Sequence, residues 1–282
     1  MAKRYTREEI IARLKKTVAA GSPIVIVSAG SGLVGKLEEE GGADLISLYN
    51  SGRFRHYGVG SLGSLLPVAD GNRTVLELAN EVLPRIREVP IIAGLCFQDT
   101  NIIWDVFFKQ LNELGFSGVM NFPTVGIIDA TSRFRMNLEE SGFGYDNEVK
   151  ALKLARSMNL FTIAYAFTAD EARKMAEADV DMLSVHVGLT SGGKIGAKST
   201  VTLEESVRTT NELVQVARKI KPDIIPITHG GPMESPETVK YVLDRTKAVG
   251  YLGATSVERL PIENAVVAAV KGFKAVPLQS RL

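Results

Sequence analysis

The chain holds 282 residues, 45% of them hydrophobic and 23% charged, and its 33 Lys and Arg against 32 Asp and Glu leave a formal charge of +1. No stretch is dominated by one sign of charge, which argues against a nucleic-acid-binding or membrane-surface protein and leaves a small molecule and further copies of the chain as expected partners. One cysteine, Cys96, permits neither an internal disulfide nor an intrachain thiolate zinc cage, so a reducing, cytoplasmic setting is expected.

In chain order, the first element is a charged amphipathic helix in "MAKRYTREEIIARLKK", where Thr6 and Glu9 stand at capping-box spacing. It is assigned to residues 1–21, and no signal peptide or membrane span is expected. Eight apolar runs of strand length follow, at 23–30, 43–50, 90–99, 118–123, 161–168, 181–188, 223–230 and 251–258. Helical spacing lies between them at 74–88, 101–114, 145–158, 169–177, 203–219, 236–248 and 261–274. This alternation predicts a single α/β domain, a closed (β/α)8 TIM barrel over 22–276 with the N-terminal helix as an extra element. Links from helix to strand are tight. Three links from strand to helix, 51–73, 124–143 and 189–202, are long and fall on the C-terminal rim, where barrel enzymes keep their sites.

Strand alternation selects the residues of that mouth. Ser28 and Gly30 end the first strand; Ser51, Gly52 and Arg53, with Arg55 nearby, follow the second, and together they form a candidate anion site, with plain turns and solvated arginines as the alternative. His56, in the longest rim loop, reads as a solvated residue. In 43–50, Ile46 and Leu48 pack outward while Ser47 and Tyr49 turn in; in 90–99, Ile91, Ala93, Leu95 and Phe97 pack outward while Gly94, Cys96 and Gln98 turn in. Gln98, Asp99 and Asn121 offer hard oxygen ligands suited to Mg²⁺, unless Asp99 caps the helix that follows. Phase is ambiguous in 161–168 and 251–258. In 181–188, Leu183, Val185 and Val187 face the helices, leaving Met182, Ser184 and His186 on the barrel axis. His229 ends the seventh strand, and both histidines are candidate general acids or bases, the alternative being a structural hydrogen bond to a neighbouring carbonyl. Gly230 and Gly231, with Ser256 and Arg259 after the eighth strand, occupy the places where barrels hold phosphate on backbone N–H groups. The rim loops around Arg133 and Arg135 and around Lys194 and Lys198 read as lids, with a disordered insertion as the alternative. No lysine lies within a predicted strand, which disfavours a Schiff-base aldolase.

"SGLVGKLEEEGGADLISLYNSGRFR", "FPTVG", "SVHVGLTSGG", "ITHGGP" and "GATSVERLP" resemble the phosphoenolpyruvate hydrolase-like TIM-barrel proteins, a family related to the phosphoenolpyruvate mutase and isocitrate lyase superfamily. The resemblance spans nearly the whole chain. It implies an enolate or phospho-enolate of pyruvate held by Mg²⁺, with Ser51 and Gly52 matching the turn that grips the anion, and no organic cofactor. Two departures stand out: the superfamily's acidic metal cluster is reduced to Asp99 with Gln98 and Asn121, and its Lys-Lys-Cys-Gly-His motif is absent. The implied activity is that of a hydrolase or lyase cleaving a P–O, C–P or C–C bond, with Asp99 joining His186 and His229 as a catalytic candidate. The alternative is a non-catalytic barrel that senses an anionic metabolite.

Overall fold

The structure, a computed structural model, describes residues 3–278. Its strands are β1 (Ile24–Ser28), β2 (Leu45–Leu48), β3 (Ile91–Leu95), β4 (Gly118–Asn121), β5 (Phe161–Ala166), β6 (Met182–His186), β7 (Ile225–His229) and β8 (Gly250–Gly253). All pair in parallel with their chain neighbours, and β8 closes on β1. The helices are α1 (Arg7–Ala19), α2 (Gly32–Glu40), α3 (Asn50–His56), α4 (Gly71–Val82), α5 (Trp104–Leu114), α6 (Arg133–Glu140), α7 (Tyr145–Ser157), α8 (Ala169–Glu177), α9 (Leu203–Ile220), α10 (Pro236–Leu243) and α11 (Arg259–Lys274). All eight expected strands are present, and the fold is the expected (β/α)8 barrel.

Alternating side chains divide the core into two. Ile24, Ile26, Leu45, Ile92, Met120, Ile163, Met182, Ile227 and Leu252 fill the barrel, while Ile46, Leu48, Ile91, Ala93, Leu183 and Val185 pack against the helices. The two strands of ambiguous phase resolve as Phe161, Ile163 and Tyr165 inward, and Leu252 inward with Tyr251 outward. Helix α1 stoppers the end where the strands begin. Tyr5, Ile10 and Leu14 join the interior cluster, and Arg7 and Thr17 reach Asp181 and Asp44, each at 2.7 Å. Its capping box is formed, with Glu9 Oε2 accepting from the Thr6 amide at 2.7 Å.

Several boundaries differ from expectation. Helix α2 has no counterpart among the expected helices, because "GLVGKLEEE" carries two glycines and little apolar periodicity. The rim links 51–73 and 124–143 contain α3 and α6, too short to show a helical stripe. The fifth and tenth helices begin or end several residues inside their expected spans.

Helices α2, α4, α5, α7, α8, α9 and α10 cover the strands, but α11 leaves the wall after its first turn. Val266, Val270 and Phe273 are 57%, 57% and 80% exposed. The outer face of β8 and β1 is left as two hollows of about 750 and 440 Å³ that share Val25 and Val257. No described helix is long and apolar enough to cross a membrane.

Candidate active site

The mouth is built in three groups, each tied to different strand ends. The first is aromatic. Tyr165 from β5, His186 from β6 and His229 from β7 meet beside Phe167: His186 stacks on Phe167 with centroids 4.5 Å apart, and the two imidazoles meet edge to face at 4.6 Å. Tyr165 lies 5.0 Å from His186 and 5.2 Å from His229. The backbone sets the tautomers. His229 Nδ1 is 2.6 Å from the Leu252 carbonyl, which can only accept, so Nδ1 carries the hydrogen and Nε2 an open lone pair. His186 Nδ1 accepts from the Gly188 amide at 3.1 Å, so its hydrogen sits on Nε2. Neither Nε2 has a protein partner among the described residues. Burial, with Arg55 adding to it and the Leu252 bond opposing it, lowers the pKa of His229 to about 4. Burial and the proximity of His229 hold His186 well below the usual imidazole range. Two neutral rings therefore present one acceptor and one donor.

Gly230 and Gly231 make this approach of β6 and β7 possible. Gly230 has φ +85°, and a Cβ there would run into the Gly188 carbonyl. The Gly231 amide donates to that same carbonyl at 2.9 Å, so it is engaged by the protein rather than open to an anion.

The second group is ionic and centres on Glu258, which is 1% exposed. Its Oε1 accepts from the Gly30 amide and from His56 Nε2, both at 2.6 Å, and its Oε2 accepts from Arg55 Nε at 2.7 Å. Arg55 continues to Ser51 Oγ at 3.2 Å and to Ser28 Oγ. A Cβ on Gly30 would strike the Gly52 carbonyl and the His56 ring, so these glycines let α3 abut the end of β1. Ser28, Gly30, Ser51 and Gly52 are thus brought together around the guanidinium of Arg55.

The third group surrounds Glu148 of α7, fully buried. It accepts from Asn121 Nδ2 at 2.6 Å, Thr124 Oγ1 at 2.7 Å, the Val125 amide at 2.9 Å and Gln98 Nε2 at 3.2 Å. Burial outweighs these bonds and raises its pKa to about 7. These bonds also occupy two of the expected Mg²⁺ ligands. Asn121 Oδ1 accepts from the Tyr165 amide at 2.7 Å, Gln98 Oε1 accepts from Asn147 at 3.2 Å, and Asp99, half-buried, accepts from the Asn101 amide at 2.9 Å. The side-chain oxygens of Asn121 and Gln98 are engaged by protein donors and only one carboxylate, Asp99, is among the three, so these residues do not fit the octahedral oxygen shell of Mg²⁺. Asp99 does not cap the helix either, since α5 begins at Trp104 with Ile103 as an N-cap that makes no side-chain bond.

Three further candidates lie elsewhere. Arg53 pairs with Glu81 of α4 at 2.5 Å, Ser256 bonds the outward-facing Tyr251 at 2.8 Å, and Arg259 pairs with Glu263 at 2.5 Å and donates to the Gly192 carbonyl at 3.0 Å. Glu258, Glu148 and Tyr165 escaped the sequence reading. A signal did exist for Glu148, which falls on the buried stripe of Tyr145, Ala151, Leu152 and Ala155.

Fold and site together define a (β/α)8-barrel protein whose polar groups converge at the C-terminal mouth. The sequence model of the family described as phosphoenolpyruvate hydrolase-like matches residues 9–276, and the chain belongs to that family. The ToMV resistance protein Tm-1(GCR237) of Solanum lycopersicum is 50% identical over 274 residues, and the ToMV susceptible protein tm-1(GCR26) of the same species is 51% identical over 271. The alignments cover 97% and 96% of this chain but 36% of each relative, so the chain spans about a third of their length. A phosphonopyruvate hydrolase solved in complex with oxalate and Mg²⁺ superposes with a TM-score of 0.57 at 16% identity, over 94% of this chain and 86% of its own. A tryptophan synthase α-subunit from Legionella pneumophila str. Paris reaches the same TM-score at 14% identity, over 95% and 92%. Equal likeness to barrels of different named activity shows the fold alone.

Proposed function

We propose that the chain is an enzyme of the phosphoenolpyruvate or phosphonopyruvate hydrolase kind, cleaving a P–O, C–P or C–C bond in a small phosphorylated or carboxylated metabolite. The observation that carries this reading is the complementary tautomer pair. In hydrolysis, His229 Nε2 takes a proton from the attacking water as its oxygen bonds to phosphorus or carbon. His186 Nε2–H donates a hydrogen bond to the departing enolate or alkoxide as the old bond breaks, and the proton taken up by His229 is returned to that leaving group. Tyr165 and Phe167 wall the pair and keep it neutral and dry. The expected Mg²⁺ ligands do not fit the ion, so no step runs through it. We also propose that the working form is a homo-oligomer assembled through α11.

The test incubates the purified protein with phosphoenolpyruvate and with phosphonopyruvate, with and without Mg²⁺, and follows pyruvate and phosphate. Turnover is expected in wild type and is lost in H229N, whose thermal stability stays near wild type. A wild-type rate in H229N removes the base assignment. A raised melting temperature without product favours a metabolite-sensing barrel instead.

A further inference from the structure

Beside Glu258 the rim encloses a further cavity, of about 350 Å³, lined by Arg55, His56, Lys194, Ile195, Glu258 and Glu263 among its walls. Most of its charges are already matched: Arg55 with Glu258 at 2.6 Å, and Arg259 with Glu263 at 2.5 Å. Lys194 makes no ion pair among the described residues. Its loop is nonetheless held over the cavity, because its amide donates to Glu263 Oε2 at 2.9 Å and Arg259 fastens Gly192.

His56 differs from the other two histidines in being reachable, with a side chain 25% exposed. Glu258 accepts from it at 2.6 Å, so Nε2 carries the hydrogen and Nδ1 is the open nitrogen. A buried carboxylate, locked by a guanidinium and the Gly30 amide, thus fixes an imidazole that lines the same cavity as an unmatched ammonium. That is the arrangement of an oriented proton acceptor next to a cation.

We infer that this cavity is a second binding site, for the oxyanion of a small acid, carboxylate or phosphate. Lys194 supplies the charge. The open Nδ1 of His56 accepts a hydrogen bond from a hydroxyl of the acid where it has one, with Glu258 holding the ring from the other side. The inference does not depend on the reaction proposed for His186 and His229.

The experiment records histidine ring ¹H–¹³C spectra of the full chain at about pH 7, where an imidazole can respond in either direction. Inorganic phosphate and acetate are titrated in separately, and H56Q assigns the His56 signal. His56 is expected to shift saturably while His186 and His229 stay fixed, and the tighter of the two anions names the headgroup. K194A is expected to weaken binding about tenfold, as for loss of one charge-assisted contact, and H229N to leave it unchanged. An unmoved His56 in both titrations, or K194A binding as tightly as wild type, overturns the site. H229N lacking turnover while keeping this binding separates the two claims.

Discussion

His229 and His186 owe their chemistry to exclusion of water, and the same exclusion makes them a source of pH-dependent stability. An imidazole in the unfolded chain titrates near pH ~6.5, whereas folded His229 does so at about 4. Between these values the unfolded state binds more protons, so the stability contributed is complete above the unfolded value and is lost as pH falls towards the folded one. At 1.36 kcal/mol per unit the His229 window corresponds to roughly 3 kcal/mol, and His186 acts in the same direction. Glu148 acts oppositely: its folded pKa is raised to about 7, so its contribution is present below the unfolded carboxyl value and lost as pH rises through about 7. Urea unfolding from about pH 6.5 down to about 4.5 isolates the histidine effect when wild type is compared with H229N, which is expected to lose markedly less stability across that window. Parallel slopes would show that His229 is charged in the fold. At this scale the histidines were legible in the sequence, because alternation and strand ends place a side chain without knowledge of its neighbours. Glu258 was not. Its meaning comes from Arg55, 203 positions away, and only ring closure brings the two together.

Among the elements, buried strands announce themselves by apolar runs, and the long covering helices by their stripe. Short rim helices do not, since α3 and α6 have seven and eight residues and are held by tertiary contacts. Strand β5 hid its phase because both faces are apolar, and with it hid Tyr165. The tie between elements that matters most here is Glu148, which joins α7 to the segment after β3, to β4 and to the loop that follows. Replacing it by Ala leaves buried donors of Asn121 and Thr124 facing a void. A loss of about 3 kcal/mol is expected for E148A, with a matching fall in the urea midpoint. Because the same donors fix Asn121 against Tyr165, E148A is also expected to disturb the Tyr165 and His186 ring signals. A change below about 0.5 kcal/mol with unmoved rings would make the carboxylate dispensable.

Across the whole molecule, the periodicity that predicts the barrel cannot say where its last helix goes. Helix α11 has the apolar residues of a covering helix, yet Ile262, Val266, Val270 and Phe273 are 43%, 57%, 57% and 80% exposed. The slot it would cover, over β8 and β1, stays open. The start of the helix is fixed by tertiary bonds: Glu258 is anchored to Arg55, and Arg259 donates to the Gly192 carbonyl. The slot also contains Glu38, 7% exposed, with both carboxylate oxygens lacking a partner. Burial and the nearby charge of Glu258 push its pKa up to about 9, so it is held as a neutral carboxyl. One chain therefore carries both a helix without a groove and a groove without a helix. The homo-oligomer proposed above would be a two-fold pair in which each α11 enters the other's slot. Light scattering is expected to give a dimer or a multiple of it, and V266K with V270K to give a folded monomer. The geometry is tested more sharply by L37C with V266C, on a C96S background. Leu37 lines the slot and Val266 lies mid-helix, so oxidation should link two chains covalently. A disulfide within one chain, or a monomer in wild type, would show that α11 closes on its own barrel or stays free.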